Sequence, residues 1–119
     1  MAHTYFGDLI VMRHFDHVWL KESWVYLFTD FKATYFEALW LQHSWSENDF
    51  VFEMFQNRDM YVQETNVYTR SIVTKHFEYS WAMFDAHTYP GGAWRIHMLR
   101  HILGDAAFWI GVQSIILFT

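Results

Sequence analysis

The chain has 119 residues, of which 53% are hydrophobic and 18% charged, so it can bury a core and is not intrinsically disordered. Its formal charge of −5 argues against nucleic acids and anionic membranes, which require a basic face, so we expect neither as a partner. The absence of cysteine excludes disulfides, thiolate metal ligands and cysteine nucleophiles.

The spacing of apolar residues predicts an all-α fold, with four to five helices in a compact bundle. Residues 20–43 contain no glycine or proline, and they predict one long central helix of roughly 35 Å at ~1.5 Å per residue. Its apolar positions recur at helical spacing: Trp24, Leu27, Phe28, Phe31, Tyr35, Ala38 and Leu39.

Residues 44–49 predict a break, after which a second helix runs from about Asp49 to Glu64. Ser46 followed three positions later by Asp49 resembles a capping box, with aspartate in the place of the usual glutamate or glutamine. Residues 66–80 are β-branched and polar without a helical period, so they predict an extended connection.

The last third of the chain predicts two consecutive helices. Pro90 suits the first turn of a helix that runs to about Leu103. Gly104 is typical of the position after a helix and Asp105 of an N-cap, so the last helix begins there. Its apolar face carries Phe108, Val112, Ile115 and Ile116.

Aromatic residues make up 22% of the chain, more than a domain of this size can enclose. Exposed apolar patches favour self-association, so we expect a homodimer or a higher oligomer. The longest apolar stretches lie within residues 106–118 and are shorter than the roughly 20 residues of a membrane span, and the N-terminus does not resemble a signal peptide. We therefore expect one domain over residues 1–119, located in the cytoplasm.

Two short segments share the spacing of a zinc site. M-A-H-T-Y-F-G-D-L at residues 1–9 contains His3, and V-W-L-K-E-S-W at residues 18–24 contains Glu22, with eighteen residues between the two side chains. These segments resemble the end of H-E-x-x-H with its continuation H-x-W-F-G-[ND]-L, and W-L-[NK]-E-[GS]-[FW], in gluzincin zinc aminopeptidases of the aminopeptidase N family. The resemblance implies that His3 and Glu22 are zinc ligands.

A third segment, Y-P-G-G-A-W-R-I-H-M-L-R-H-I-L-G-D at residues 89–105, resembles Y-x-K-G-A-x-x-L-x-M-L-x-x-x-L-G-D of the same family. The resemblance implies that Tyr89 stabilises the oxyanion of the tetrahedral intermediate. Tyr89 also precedes Pro90, Gly91 and Gly92 at a predicted helix N-terminus, where unpaired amides suit negative charge. The three segments occur in the family's order, and the chain resembles the C-terminal part of a catalytic domain, truncated inside the H-E-x-x-H motif.

The chain departs from the family pattern in two respects. The first histidine and the catalytic glutamate of the motif would precede Met1, as would the parts that hold the substrate's amino group, so we do not expect aminopeptidase activity. Residues 25–32 also separate E-S-W from A-T-Y-F-E, which the family often joins directly. Eight helical residues at ~100° each rotate the downstream face by about 80° relative to Glu22.

His3 and Glu22 are one ligand short of a usual catalytic zinc set. A second chain, the free α-amino group or another histidine of this chain can supply the missing ligand, and His97 and His101 can chelate because they are four residues apart on one helix. The histidine candidates are His14, His17, His97 and His101. As an alternative, the N-terminal amine, two backbone amides and the imidazole of His3 can bind Cu(II) or Ni(II).

These residues predict a zinc-dependent hydrolase of a small-molecule substrate, an activated ester or phosphoester. His3 and Glu22 would hold the metal, and Tyr89 would donate to the oxyanion. The first alternative is a non-catalytic, self-associating helical relic of a metallopeptidase domain. The second is an interaction module that binds another protein through its aromatic surface.

Overall fold

The computed structural model describes residues 13–19 and 34–118, and all regular secondary structure within these ranges is helical. Two short 3-10 turns cover Phe15–His17 and Ser80–Met83. The α-helices are α1 (Thr34–Ser44), α2 (Glu47–Thr65), α3 (Pro90–Leu103) and α4 (Asp105–Phe118). The predicted all-α class and the predicted bounds of α3 are confirmed.

The predicted long central helix is confirmed over its last part, which is α1. Residues 20–33, including the 25–32 segment, lie outside the described residues. Tyr35, Ala38 and Leu39 of the predicted apolar stripe are buried, whereas Trp40, which falls off the stripe, is 65% exposed. The periodicity therefore predicts the buried face of α1 correctly.

The junction between α1 and α2 carries the predicted cap. The Ser46 Oγ accepts a hydrogen bond from the Asp49 amide at 3.2 Å and donates one to the Asp49 carboxylate at 2.5 Å. The Ser46 amide donates instead to the Leu41 carbonyl at 3.2 Å. Because aspartate is one methylene shorter than glutamate, it closes the cap on the hydroxyl and not on the backbone amide.

The core lies between the four helices. The Trp94 ring packs against it, and its Nε1–H donates to the Met54 carbonyl at 3.0 Å, which joins α3 to α2. Full burial of one large apolar side chain contributes roughly 1.5–3 kcal/mol, so this cluster is the main stabilising element of the described bundle. Its members are Tyr35, Ala38, Leu39, Phe50, Met54, Ala93, Ile96, Phe108 and Val112.

The junction between α3 and α4 turns at Gly104, whose φ of 79° lies in the left-handed region that favours glycine. Asp105 is the first residue of α4, so its predicted role as N-cap is wrong. Its carboxylate accepts two hydrogen bonds from Arg100, from Nε at 2.8 Å and from Nη2 at 2.9 Å. The side chain therefore joins two helices and does not cap the second one.

Several aromatic side chains lie on the surface, as the composition predicts. Trp45 is 74% exposed and Trp81 is 73% exposed. Phe108 and Val112 on the predicted apolar face of α4 are buried, and the side chains at 115–118 lie outside the description. Among the described residues, no helix is both long and apolar enough to cross a bilayer.

Candidate functional site

Tyr89 is the predicted site residue that the structure places, since His3 and Glu22 lie outside the described residues. It is half-buried and comes directly before α3, with its ring 6.3 Å from that of Phe84. Its amide donates to the Asp85 carbonyl at 3.1 Å, and its carbonyl accepts from the Ala93 amide at 2.9 Å. Hydrogen bonds on both sides therefore fix the backbone of Tyr89 at the helix N-terminus.

Gly91 in the first turn of α3 is needed for close packing. A Cβ atom at this position would lie 3.0 Å from the Tyr61 ring of α2 and 3.1 Å from the Ala86 carbonyl oxygen. Its amide donates to the same carbonyl at 2.8 Å. The sequence predicts unpaired amides beside Tyr89, but the amide of Gly91 is hydrogen-bonded within the fold.

A polar cluster immediately before Tyr89 joins the C-terminal end of α2 to residues 85–88. His87 is 1% exposed, and its Nδ1 lies 2.6 Å from the Glu64 Oε2, which also accepts from the His87 amide at 2.8 Å. The His87 ring is stacked on Tyr68 at 4.9 Å between centroids and meets the edge of Tyr61 at 5.3 Å. These contacts hold His87 against the end of α2.

Asp85 is the centre of the same cluster. Its two carboxylate oxygens accept hydrogen bonds from Arg70, from Nη2 at 2.6 Å and from Nε at 2.8 Å. The Tyr68 hydroxyl also donates to the carboxylate at 2.5 Å, and the Thr88 amide donates to it at 2.9 Å. Burial acts against the charged carboxylate, but the hydrogen bonds from Arg70 and Tyr68 outweigh it and lower the pKa of Asp85. Burial and the bond to Asp85 raise the pKa of Tyr68. We call these residues the polar clamp: Glu64, Tyr68, Arg70, Asp85, His87 and Thr88.

The polar clamp contains three side chains of metal-ligand type. One possible ligand atom from each of Glu64, Asp85 and His87 lies within 4.8 Å of the other two. In the part of the chain that the structure describes, these are the three side chains close enough together to hold one metal ion. Both oxygens of Asp85, however, are hydrogen-bonded to the guanidinium of Arg70, and a divalent cation at that place would meet a fixed positive charge. The clamp is therefore a structural element.

The clamp positions the chain on both sides of the irregular segment 66–79, which is the predicted connection. Arg70 donates to the Ser71 carbonyl at 2.8 Å and to the Thr88 hydroxyl at 2.9 Å, while Thr88 donates to the Met83 carbonyl at 2.5 Å. Local sequence patterns do not identify the residues of the clamp, because the hydrogen-bonded partners Arg70 and Asp85 are 15 positions apart and Glu64 and His87 are 23 positions apart. The available signals were the D-A-H triplet at residues 85–87 and Arg70, which is the one charged residue between positions 65 and 74.

The structure also places the additional histidines that were proposed as ligands. His14 and His17 are exposed beside the first 3-10 turn. His97 and His101 lie on α3, and their Nε2 atoms are 3.2 Å apart. The structure therefore brings together one of the predicted pairs.

A cleft of about 380 Å³ opens beside the polar clamp. Its polar groups include Tyr68 and Arg70, which are bonded to Asp85, and Thr74, whose hydroxyl donates to the His76 carbonyl. Because these groups are engaged within the fold, we assign no chemistry to the cleft. Its lining consists of Tyr68, Arg70, Thr74, His76, Phe77, Tyr79, Ala82 and Met83.

Comparison with known proteins identifies one matching family and several similar proteins. The family described as "Peptidase family M1 domain" matches residues 1–117. Aminopeptidase N of Lactobacillus delbrueckii subsp. lactis is 31% identical over 95% of the chain, and that of Lactococcus lactis subsp. lactis is 31% identical over 96%. Nitrosuccinic acid synthase npaA of Aspergillus oryzae is 30% identical over 73% of the chain and 14% of that protein.

The chain spans 13% of the length of either aminopeptidase. No solved structure matches it. The range of the family match includes His3, Glu22 and Tyr89. The chain belongs to peptidase family M1.

Proposed function

We propose that this chain is a metal-dependent hydrolase domain that acts on small activated ester or phosphoester substrates. His3 and Glu22 hold zinc, and Tyr89 donates a hydrogen bond to the negative charge that develops on the substrate. The observation that carries the proposal is the eighteen-residue spacing between His3 and Glu22, in a chain whose family match runs over both residues.

The donor set fits zinc, because an imidazole nitrogen and a carboxylate oxygen are both usual ligands of this ion. When bound, zinc polarises a carbonyl or phosphoryl oxygen and makes water acidic enough to act as a nucleophile near neutral pH. The role of His3 and Glu22 is to hold and orient the ion. We propose that the further ligand comes from a second copy of the chain, from a histidine of the same chain or from the α-amino group.

Tyr89 is suited to donate a hydrogen bond. It stands at the positive end of the α3 dipole, and its backbone is fixed by hydrogen bonds to Asp85 and Ala93. A donor that is already in position when charge develops contributes about 10²–10³-fold to kcat. The polar clamp supports this role, because it holds the residues directly before Tyr89.

The choice of an activated substrate follows from the residues assigned to the chemistry. They are two metal ligands and one hydroxyl that donates to the oxyanion, and none is assigned to protonate a leaving group. A nitrophenolate leaves without protonation, whereas the amine of a peptide bond does not.

We also propose that the chain is a homodimer. Trp45, Trp81 and Ile102 are 74%, 73% and 81% exposed, and burial of such side chains drives association. Sedimentation equilibrium tests the proposal directly, and a monomer at all concentrations would overturn it. In that case the missing zinc ligand must come from the same chain.

Metal content per chain, measured by elemental mass spectrometry after gel filtration, is the first test. We expect zinc at one per chain or one per dimer in the wild type, its loss in Glu22→Ala, and its retention in the exposed control Glu78→Ala. No stoichiometric metal in the wild type after zinc is supplied would overturn the proposal. Copper or nickel that stays bound in Glu22→Ala but not in His3→Ala would show that the N-terminal amine and His3 bind the metal instead.

Turnover is the second test. We expect hydrolysis of p-nitrophenyl acetate or bis-p-nitrophenyl phosphate that a chelator abolishes, and that falls about 10²-fold in kcat in Tyr89→Phe. If the chain hydrolyses an aminoacyl p-nitroanilide and neither of these two esters, the proposed substrate class is wrong. Aminopeptidase chemistry, which the names of the relatives give, would then replace it. Bound zinc without turnover of any of these substrates would favour the alternative that the chain is a non-catalytic relic of a metallopeptidase domain.

A further inference from the structure

His97 and His101 face each other on α3. Their Nε2 atoms are 3.2 Å apart, and their rings are nearly perpendicular, at 81° with 4.6 Å between centroids. Two nitrogens bound to one ion at ~2.0–2.1 Å, with an angle of roughly 90–110° between them, lie roughly 2.9–3.4 Å apart. This separation, which is also that of a hydrogen bond between the two rings, falls in the range for two ligands on a single transition-metal ion.

A buried contact fixes the orientation of His97. Its Nδ1 lies 3.0 Å from the hydroxyl of Tyr35, which is fully buried and held by edge contacts to Phe50 and Phe108. When His97 carries its proton on Nδ1 and donates it to Tyr35, Nε2 keeps its lone pair for a metal. Metal-binding histidines almost always use their second nitrogen in this way, so Tyr35 is a positioning residue.

The charges near the pair are compatible with a bound cation. Burial, followed by the positive charges of His101 and Arg100, lowers the pKa of His97, while the negative charge of Glu47 acts in the opposite direction. The guanidinium of Arg100 is itself engaged in two hydrogen bonds with the Asp105 carboxylate. The Asp105 carboxylate therefore offsets part of its positive charge.

The pair is also accessible. His101 is exposed and His97 half-buried, so an ion can enter from solvent. Among the described residues no third possible metal ligand lies close to both histidines, so water would complete the coordination of the ion. An ion held by two protein ligands exchanges readily and is removed by a chelator.

We propose that His97 and His101 form a binding site for a divalent transition-metal ion of the Zn(II), Ni(II) or Cu(II) class. This site is separate from the one assigned to His3 and Glu22, and it does not depend on the proposed hydrolase activity.

The test uses the wild-type chain and Zn(II) alone, followed by NMR of the histidine rings. We expect the Nε2 resonances of His97 and His101 to shift together and saturate with one ion, whether or not other histidines also respond. A shift at one of the two rings without the other, or at neither, would overturn the proposal.

Variants give an independent measure by calorimetric titration with Zn(II). We expect His101→Ala to weaken this binding at least tenfold, and Tyr35→Phe to weaken it about tenfold, the lower end of the range for outer-shell partners. The double variant His101→Ala with Ile102→His keeps the number of histidines but moves one to the wrong spacing, so it should not restore binding. His43→Ala, which removes an exposed histidine of α1, should leave the affinity unchanged. Equal affinity in wild type and His101→Ala would overturn the proposal.

Discussion

Two polar clusters lie at opposite ends of α3, and both contain residues that commonly bind metals. At the N-terminal end, the polar clamp has its carboxylates paired with Arg70, with Tyr68, with His87 and with backbone amides. Toward the C-terminal end, His97 and His101 turn their Nε2 atoms toward each other. Residue type alone does not identify a metal site. In the clamp the Arg70 guanidinium occupies both oxygens of Asp85, whereas at His97 and His101 the proposed ion would replace the hydrogen bond between the two rings.

The largest expected effect comes from breaking the clamp with Asp85→Ala. The side chains of Arg70 and Asp85 are only 16% and 8% exposed, so the variant leaves a guanidinium without its partner in a largely buried position. We expect a loss of about 3 kcal/mol in the free energy of unfolding, measured by urea denaturation. Asp59→Ala removes a similar pair that is 49% and 47% exposed, and it should change stability by less than about 1 kcal/mol. Equal effects of the two substitutions would show that the clamp is not structural.

The clamp should also make stability depend on pH in the acid range. The pKa of Asp85 is lower in the folded state than in the unfolded state, so its stabilising contribution is present above the unfolded pKa of about 4 and is lost as the pH falls through the folded pKa. The stability difference between wild type and Asp85→Ala should therefore be smaller at pH 3 than at pH 7. A difference that grows toward acid pH would contradict the assignment of the charged carboxylate.

Gly91→Ala tests the close packing of α3 on α2 beside the clamp. The added methyl would meet the Tyr61 ring and the Ala86 carbonyl oxygen at 3.0–3.1 Å, so we expect a loss of about 1–3 kcal/mol. Gly111→Ala is the matched control, because a Cβ at that position of α4 meets nothing within 4 Å. The control should gain about 0.5–1 kcal/mol from helix propensity. Effects of the same sign would show that the packing argument is wrong.

The smallest effect is expected at the other end of α3. His101 is exposed, so His101→Ala without metal should change the free energy of unfolding by no more than about 0.5 kcal/mol. His87→Ala, by contrast, removes a buried ring that is bonded to Glu64 and should be clearly destabilising. Thermal denaturation of both variants in the presence of a chelator distinguishes a histidine that stabilises the fold from one that binds a metal ion. A large loss of stability in His101→Ala would show that His101 also stabilises the fold.

Part of the candidate site was predictable from sequence, and part was not. The position of Tyr89 before α3 follows from Pro90, which suits a first helical turn, and the pairing of His97 with His101 follows from their spacing on that helix. The use of the Gly91 amide by Ala86 was not predictable, because it depends on the turn at 85–89 that the clamp shapes. His3 and Glu22 rest on a motif resemblance, and their role stays a prediction.

The sequence by itself determined the helical class, the buried stripe of α1, the cap at Ser46 and the bounds of α3. These features depend on periodicity and on caps, which are interactions between residues a few positions apart. Only the tertiary structure decided that Arg70 and His87 meet partners 15 and 23 positions away, and that Asp105 binds Arg100 and does not cap its own helix. Such pairings depend on how an irregular segment returns to the bundle, and no local pattern records that path.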